Sequence, residues 1–388
     1  LGGEHHLVAM ALIQFASMHS AHGDNDAARP LLERALGILV KARGEDHPDV
    51  AMAKGKLAVV HLAAGDVESA LPMAQDSLRI LEARLGPSHP SVAAAHYDLA
   101  RVLVKKGATA EARQSTAAAL SGITAFVDEL LPTMSEREAL RLTGNYRYLL
   151  DGYLAQFSGP DDAQAAWLAT LRWKGAVARA VTARQQIVTQ SASPEVLKQA
   201  EDLAATRQEL AQITLSTLDG GGGVARSERL TELRETIESL QRDLATSTGA
   251  EDFALRQATP AQVCAAMGEG VVLVDLLRHE GRGQRYVAFV VHPETCSVTR
   301  VDLGEAKPMD DAVRAWRDAL SSQASTQMVD GRGEIVRQRL WDPLGLDDAD
   351  TVILAPDGAL AGVSFGALPL GGDRYLIEQV TLSNVEGA

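Results

Sequence analysis

Cysteine is nearly absent from this chain: its 388 residues hold two, Cys264 and Cys296. Two thiols cannot build a disulfide framework, and neither sits in a Cys-x-x-Cys pair, so zinc ribbons and thioredoxin-type motifs are excluded. The usage suits a reducing cytoplasm. Cys264, in Val263-Cys264-Ala265-Ala266, reads as a small buried hydrophobe. Aromatic residues amount to 4% and alanine is abundant, which favours closely spaced helices over an all-β core. Positive charge is in deficit. With 37 Lys and Arg against 51 Asp and Glu, the formal net charge is −14. Bulk charge of that sign repels phosphate, so neither nucleic acid nor an anionic membrane is an expected partner. No apolar run reaches the roughly 20 residues of a membrane-spanning helix. No basic stretch with an apolar core opens the chain, so no secretory leader is expected. The chain starts at Leu1 in mid-pattern and reads as a piece of a longer protein.

What is present is a repeat. Val8, Val50 and Val92 stand 42 residues apart, as do Ala16, Ala58 and Ala100, Gly23, Gly65 and Gly107, and Ala28, Ala70 and Ala112. Each unit of residues 1–126 predicts two helices. His-Pro opens the first, with proline at the favoured first helical position. Gly-Asp (Gly23-Asp24, Gly65-Asp66) ends it and caps the next. One such pair cannot bury its apolar stripe alone, so the units stack into a superhelix. Pro30 and Pro72 share a column inside the second helix, where a proline costs a hydrogen bond; a late helix start or a bend would accommodate it.

Residues 127–250 predict a helical extension, with a hairpin over 194–247. Val196, Leu203 and Leu210 fall seven apart, and Leu230, Leu233, Ile237, Leu240 and Leu244 alternate three and four apart, as in a coiled-coil seam. The glycine run 220–223 between them reads as a hairpin tip open to proteolysis, since no Gly-Lys-Ser/Thr follows it. Trp167 and Trp173, in Trp167-Leu168-Ala169-Thr170-Leu171-Arg172-Trp173-Lys174-Gly175, read as a core-facing pair, and no chemistry is expected of this middle region.

The period then changes. Val271–Leu277, Arg285–Val291 and Ser297–Leu303 read as three antiparallel strands. Helices are expected near 308–325 and 330–341, a buried strand at Thr351–Ala355, and one more beginning at Val380-Thr381-Leu382. Strands and helices in that order predict an α/β sheet covered by helices over residues 251–388.

Two resemblances follow from these residues. Residues 1–126, with Leu-Gly-x-x-His-Pro connectors such as Leu85-Gly86-Pro87-Ser88-His89-Pro90, resemble tetratricopeptide repeats in their 42-residue, kinesin-light-chain form. That implies a groove for a protein or peptide partner. Val272-Leu273-Val274-Asp275, Tyr286–Val291, Trp341-Asp342-Pro343-Leu344, Ala355-Pro356-Asp357-Gly358-Ala359-Leu360 and Tyr375-Leu376-Ile377-Glu378 resemble the CHAT domain, a caspase-like peptidase domain often fused to such repeats. Ser364 stands where that family usually has proline. The expected fold is therefore a multi-domain chain: an all-α repeat superhelix and helical hairpin, then an incomplete caspase-like α/β domain.

The resemblance implies a cysteine peptidase with a His–Cys dyad. In the family the dyad follows the Tyr-Leu-Ile-Glu segment, so both residues are expected beyond Ala388 and no catalytic residue is expected in this chain. The remaining C-terminal part of the same protein would then be a partner. A protein substrate is implied, with gasdermin-like pore formers among the candidates, in antiphage defence or regulated cell death, and proteolytic processing near the chain end fits the pattern. No cofactor and no metal are expected. The alternative is a non-catalytic repeat scaffold with a CHAT-like domain.

Other chemistry is weighed against plainer readings. His19-x-x-His22 lacks third and fourth metal ligands, and His5, His47 and His89 belong to the connector column. His292 and Cys296 lie four apart in a hairpin turn with no orienting partner. Gly362-Val363-Ser364-Phe365-Gly366 satisfies G-x-S-x-G, but Pro356 ends the preceding strand too early and no histidine follows His292. Asp342, Asp347, Asp348 and Asp350 read as a solvated loop.

Overall fold

The computed structural model of the chain describes residues 3–191, 193–215, 223–247, 259–268, 270–281, 283–322 and 324–385. They fall into two compact units, 1–126 with 148–157, and 127–147 with 158–388. Part of the helical extension thus belongs with the repeats and the rest with the sheet.

The first unit holds three helix pairs: α1 (His6–Ala21) and α2 (Asn25–Arg43), α3 (Pro48–Ala63) and α4 (Val67–Leu85), α5 (Pro90–Lys106) and α6 (Thr109–Leu130). The turn glycines Gly23, Gly65 and Gly107 take φ of 80°, 81° and 85°, a conformation that L side chains rarely adopt, which explains their shared column. Asp24 and Asp66 cap the second helices by accepting from the backbone N–H of Ala27 and Ser69. The connector histidines are caps as well: the imidazoles of His5, His47 and His89 accept from the N–H of Leu7, Asp49 and Ser91. Both proline-bearing helices begin ahead of their prolines, so a late start does not explain Pro30 or Pro72; the prolines lie inside α2 and α4. Alanines dominate the shared core, with Ala51, Ala58, Ala70 and Ala74 fully or almost fully buried among Leu81, Val92 and Val102.

The second unit includes α7 (Glu136–Asn145), α9 (Ala163–Lys174), α10 (Ala176–Gln190), α11 (Pro194–Leu215) and α12 (Gly223–Ser247); α8 (Arg147–Gln156), between α7 and α9, contributes residues 148–156 to the first unit. Helices α11 and α12 form the expected hairpin, with Val196, Leu203 and Leu244 buried and Ile237 and Leu240 packed against them. The glycine run lies outside the described residues except Gly223, the first residue of α12.

A short α13 (Pro260–Ala266) leads into β1 (Val271–Gly281), β2 (Gly283–His292) and β3 (Ser297–Glu305). Two helices follow, α14 (Ala306–Ser321) and α15 (Thr326–Leu340), then β4 (Thr351–Ala355), a small hairpin of β5 (Pro369–Gly371) and β6 (Arg374–Tyr375), and β7 (Thr381–Asn384). The sheet order is β3-β2-β1-β4-β7. β1, β2 and β3 pair antiparallel, while β4 joins β1 in parallel and β7 joins β4 in parallel. One face, with Val274, Leu276, Tyr286, Ala288 and Leu354, packs against Met309, Val313 and Trp316 of α14 and Val336 and Leu340 of α15. On the other face Leu277, Val287, Phe289 and Val291 are also buried. Burial on both faces is why these strands read as continuous apolar runs and do not alternate. All four tryptophans of the chain belong to this unit.

One expectation is corrected here. Cys264 and Cys296 are not separate buried thiols: they form a disulfide, with Cα atoms 5.7 Å apart, that ties α13 to the β2–β3 turn. The chain folds back so that residues 32 apart in sequence meet, which neither local pattern discloses.

Candidate functional site

In open α/β sheets ligands gather at the carboxyl ends of parallel strands, and there β1 and β4 carry an interlocked set of charges. Asp275 of β1 lies in register with Ala355, the last residue of β4. The Asp275 carboxyl is buried, and burial pushes its pKa up against the pull of Lys174. The Lys174 ammonium, at the end of α9, donates to Asp275 Oδ1 at 2.7 Å and to the carbonyls of Leu276 and Ala355 at 3.1 Å each. Its three donors thus have three acceptors, which is what a buried ammonium requires.

Beyond Ala355 the chain turns through Pro356-Asp357-Gly358. Asp357 Oδ2 accepts from the Arg278 N–H at 2.9 Å, and Arg147 Nη2 lies 3.5 Å from the same oxygen. The Tyr286 hydroxyl donates to Asp310 Oδ1 at 2.8 Å and accepts from the Ala359 N–H at 3.0 Å. Burial and the Asp310 carboxylate hold that phenol well above its ordinary value. Arg278 reaches Asp310 Oδ2 at 3.2 Å. Gly358 has φ +61°, and a Cβ there would stand 2.7 Å from the Tyr286 oxygen, so the loop can lie this close only as glycine. A cavity of about 400 Å³ opens beside this lattice, lined by Asp310, Arg314, Arg317, Asp318, Ser321 and Ala359 among others. The arrangement fixes a loop at the strand ends. It contains no nucleophile paired with a base.

His279, also on β1, is buried, and its Nδ1 has no hydrogen-bond partner among the described residues. Burial, helped by the Arg300 charge, lowers its pKa to about 4.

The residues weighed from sequence stand as follows. Cys296 is bonded to Cys264, so His292 has no thiol to activate. Ser364 is exposed and stands just before a 3₁₀ turn over Phe365–Ala367 with no side-chain hydrogen bond to it, so it does not stand on a strand-to-helix elbow. Among the described residues no group of three His, Cys, Asp or Glu could hold a metal. His19 instead holds the capping Asp24 at 3.1 Å, His22 bonds the Met18 carbonyl, and Asp342 pairs with Arg337. Sequence reasoning missed Lys174. A lysine ending a tryptophan-rich helix gives no local sign that its ammonium enters a sheet 101 residues downstream. Trp167 and Trp173 are buried as expected.

In the repeat unit a cavity of about 380 Å³ lies among Leu62, Tyr97, Ala100, Arg101, Val104, Lys105, Thr116 and the 152–156 segment. Its lining is apolar apart from Arg101, which lies 3.7 Å from Asp98, and Lys105, Thr116 and Gln156.

Comparison with known proteins supports the repeats. The tetratricopeptide repeat family profile matches residues 7–83 and 49–122. No curated protein sequence matches the chain. Among solved structures, the nearly identical TPR-like repeats of a Podosopora anserina protein described as a kinesin light chain share 18% identity, covering 65% of this chain and 96% of that one, with a TM-score of 0.29. A single-residue variant of the same repeats shares 18% identity over 60% and 94%, with a TM-score of 0.28. Residues 7–122 are tetratricopeptide repeats, a type that binds protein partners, followed by a mixed sheet. Among the described residues no helix is long and apolar enough to cross a membrane.

Proposed function

We propose that the repeats dock a protein or peptide partner and that the sheet unit is the amino-terminal part of a CHAT-type, caspase-like cysteine endopeptidase acting on a protein substrate. One observation carries the second half. The segment Ala355-Pro356-Asp357-Gly358-Ala359-Leu360, the most specific part of the sequence resemblance, is the segment that Arg278 and Tyr286 hold in place. The strand succession around it, with two helices between the third and fourth strands, is compatible with that reading. In such an enzyme a cysteine thiolate attacks the scissile carbonyl, and a histidine first takes the thiol proton and then gives it to the leaving amine. Backbone N–H groups stabilise the oxyanion. Both dyad residues would come from sequence following Ala388, and the sheet would position them.

The test is the polypeptide with its native continuation, treated with an epoxysuccinyl probe before and after addition of a repeat-bound partner. Labelling of one cysteine beyond residue 388, lost on its change to alanine together with cleavage of a protein substrate, is the expected result. No labelling and no cysteine-dependent cleavage in either condition favours the second reading, a non-catalytic interaction scaffold.

A further inference from the structure

Helix α13 is held to the sheet by little besides one covalent bond. Of its seven residues only Cys264 is buried, while Ala261, Gln262, Ala265 and Ala266 are exposed. A capping box sets its start: Thr259 Oγ1 accepts from the Gln262 N–H, and Gln262 Oε1 accepts from the Thr259 N–H. A cap does not make so short a helix stable, because an isolated helix of fewer than about 12–15 residues is marginal in water. The other end of the bond is anchored differently. Cys296 lies in the turn between β2 and β3, and His292 pairs with Ser297 across the base of that turn, with Val291 and Val298 paired behind them. β2 is in turn the antiparallel neighbour of β1. Breaking the Cys264–Cys296 bond therefore leaves the turn in place and removes the covalent hold on α13. The two sulfurs also differ in access. Cys264 is 7% exposed and Cys296 is half-buried, so a thiol arriving from solvent meets the Cys296 sulfur first.

We propose that the Cys264–Cys296 bond is a reversible latch: its reduction by a monothiol of the glutathione type undocks α13, the element between α12 and β1, while the sheet stays folded. The monothiol attacks the Cys296 sulfur as its thiolate. A new S–S bond forms there, the Cys264–Cys296 bond breaks, and Cys264 leaves as a thiolate that takes a proton from water. A second monothiol thiolate then attacks the sulfur of the first, and Cys296 leaves as a thiolate and is protonated in the same way. The protein gains two electrons and two protons, and two monothiols become one disulfide. Once its sulfur is free, Cys264 supplies α13 with one small buried side chain, too little to offset the conformational freedom that seven ordered residues give up. The oxidised monothiol runs the same steps backward and docks α13 again. The inference is independent of the peptidase reading.

Hydrogen exchange of the 388-residue chain, read by mass spectrometry before and after incubation with reduced glutathione in the absence of denaturant, tests the latch. The amides of Val263–Met267 should exchange at least about tenfold faster once both thiols are free, because local opening then exposes them, while the amides of β1 and β2 stay protected. Oxidised glutathione should restore the slow exchange. Cys264→Ser should show the fast α13 exchange without any reagent and no response to reduced glutathione, and unchanged tryptophan fluorescence verifies that its sheet unit folds. Should that variant fail to fold, the unaltered chain decides alone. Any one of four results on it overturns the proposal: a maleimide finds no free thiol in the folded chain after glutathione treatment, the α13 amides keep their protection with both thiols free, the strand amides lose protection together with those of α13, or oxidised glutathione leaves the exchange fast.

Discussion

The ammonium of Lys174 and the carboxyl of Asp275 lie 2.7 Å apart across 101 residues of sequence, and together they join helix α9 to the middle of β1, level with the end of β4. Removing one partner of a buried pair leaves an uncompensated charge, which costs more than the pair itself contributes. Lys174→Met should destabilise the sheet unit by about 3–5 kcal/mol. Lys174→Met combined with Asp275→Leu should recover most of that. Urea unfolding followed by tryptophan fluorescence reads this unit alone, since Trp167, Trp173, Trp316 and Trp341 all lie in it. A double variant no more stable than Lys174→Met would refute the pairing.

His279 gives the same unit an acid sensitivity. Its folded pKa, about 4, lies below the ordinary 6.5. Between those values the unfolded chain binds the proton and the folded one does not, so this contribution is present above pH 6.5 and is lost as pH falls toward 4. The loss should be on the order of 2 kcal/mol. His279→Leu should flatten the stability profile between pH 7 and pH 5, as measured by denaturant midpoints across that range.

The capping aspartate of the second repeat accepts from the Ser69 N–H and from His61, at 3.0 Å each. Its hydrogen bonds with Ser69, and then with His61, hold the Asp66 carboxyl below the usual carboxylate range. Asp66→Ala should lower the melting midpoint of the repeats, and Asp66→Asn should lower it distinctly less. Circular-dichroism melts of the three proteins at neutral pH decide it.

The Cys264–Cys296 bond should stabilise the sheet unit by about 2–4 kcal/mol. Dithiothreitol should lower the tryptophan-monitored midpoint of the native chain and leave that of Cys264→Ser, Cys296→Ser unchanged. Titration of the non-reduced chain with a thiol reagent should find no free thiol; two equivalents would contradict the bond.

Much of this was legible because it is local or periodic. The 42-residue columns specify the helix pairs, since glycine at a left-handed turn and aspartate at a cap are requirements of single positions. Strand β4 was readable to the residue because an apolar run ends at Pro356-Asp357-Gly358. What escaped notice is non-local. Lys174, Tyr286 and the cysteine pair acquire their partners only when distant segments meet, and each looks ordinary among its neighbours in sequence. The repeat histidines fall between these cases. His19 and His61 share a column and each holds its aspartate, while the third unit has Leu103 and Ala108 at both places. The paired loss signals an interaction, but it becomes interpretable only once the contact is seen.

Among the described residues the five-stranded sheet has two rims at which a strand could be added, outside β3 and outside β7. A newcomer lying beside β7 in the same direction would finish at the end where Ala355 and Asp357 sit. Any reactive group it delivered would then emerge next to a bed of fixed charge, on the opposite side from the disulfide-tied turn.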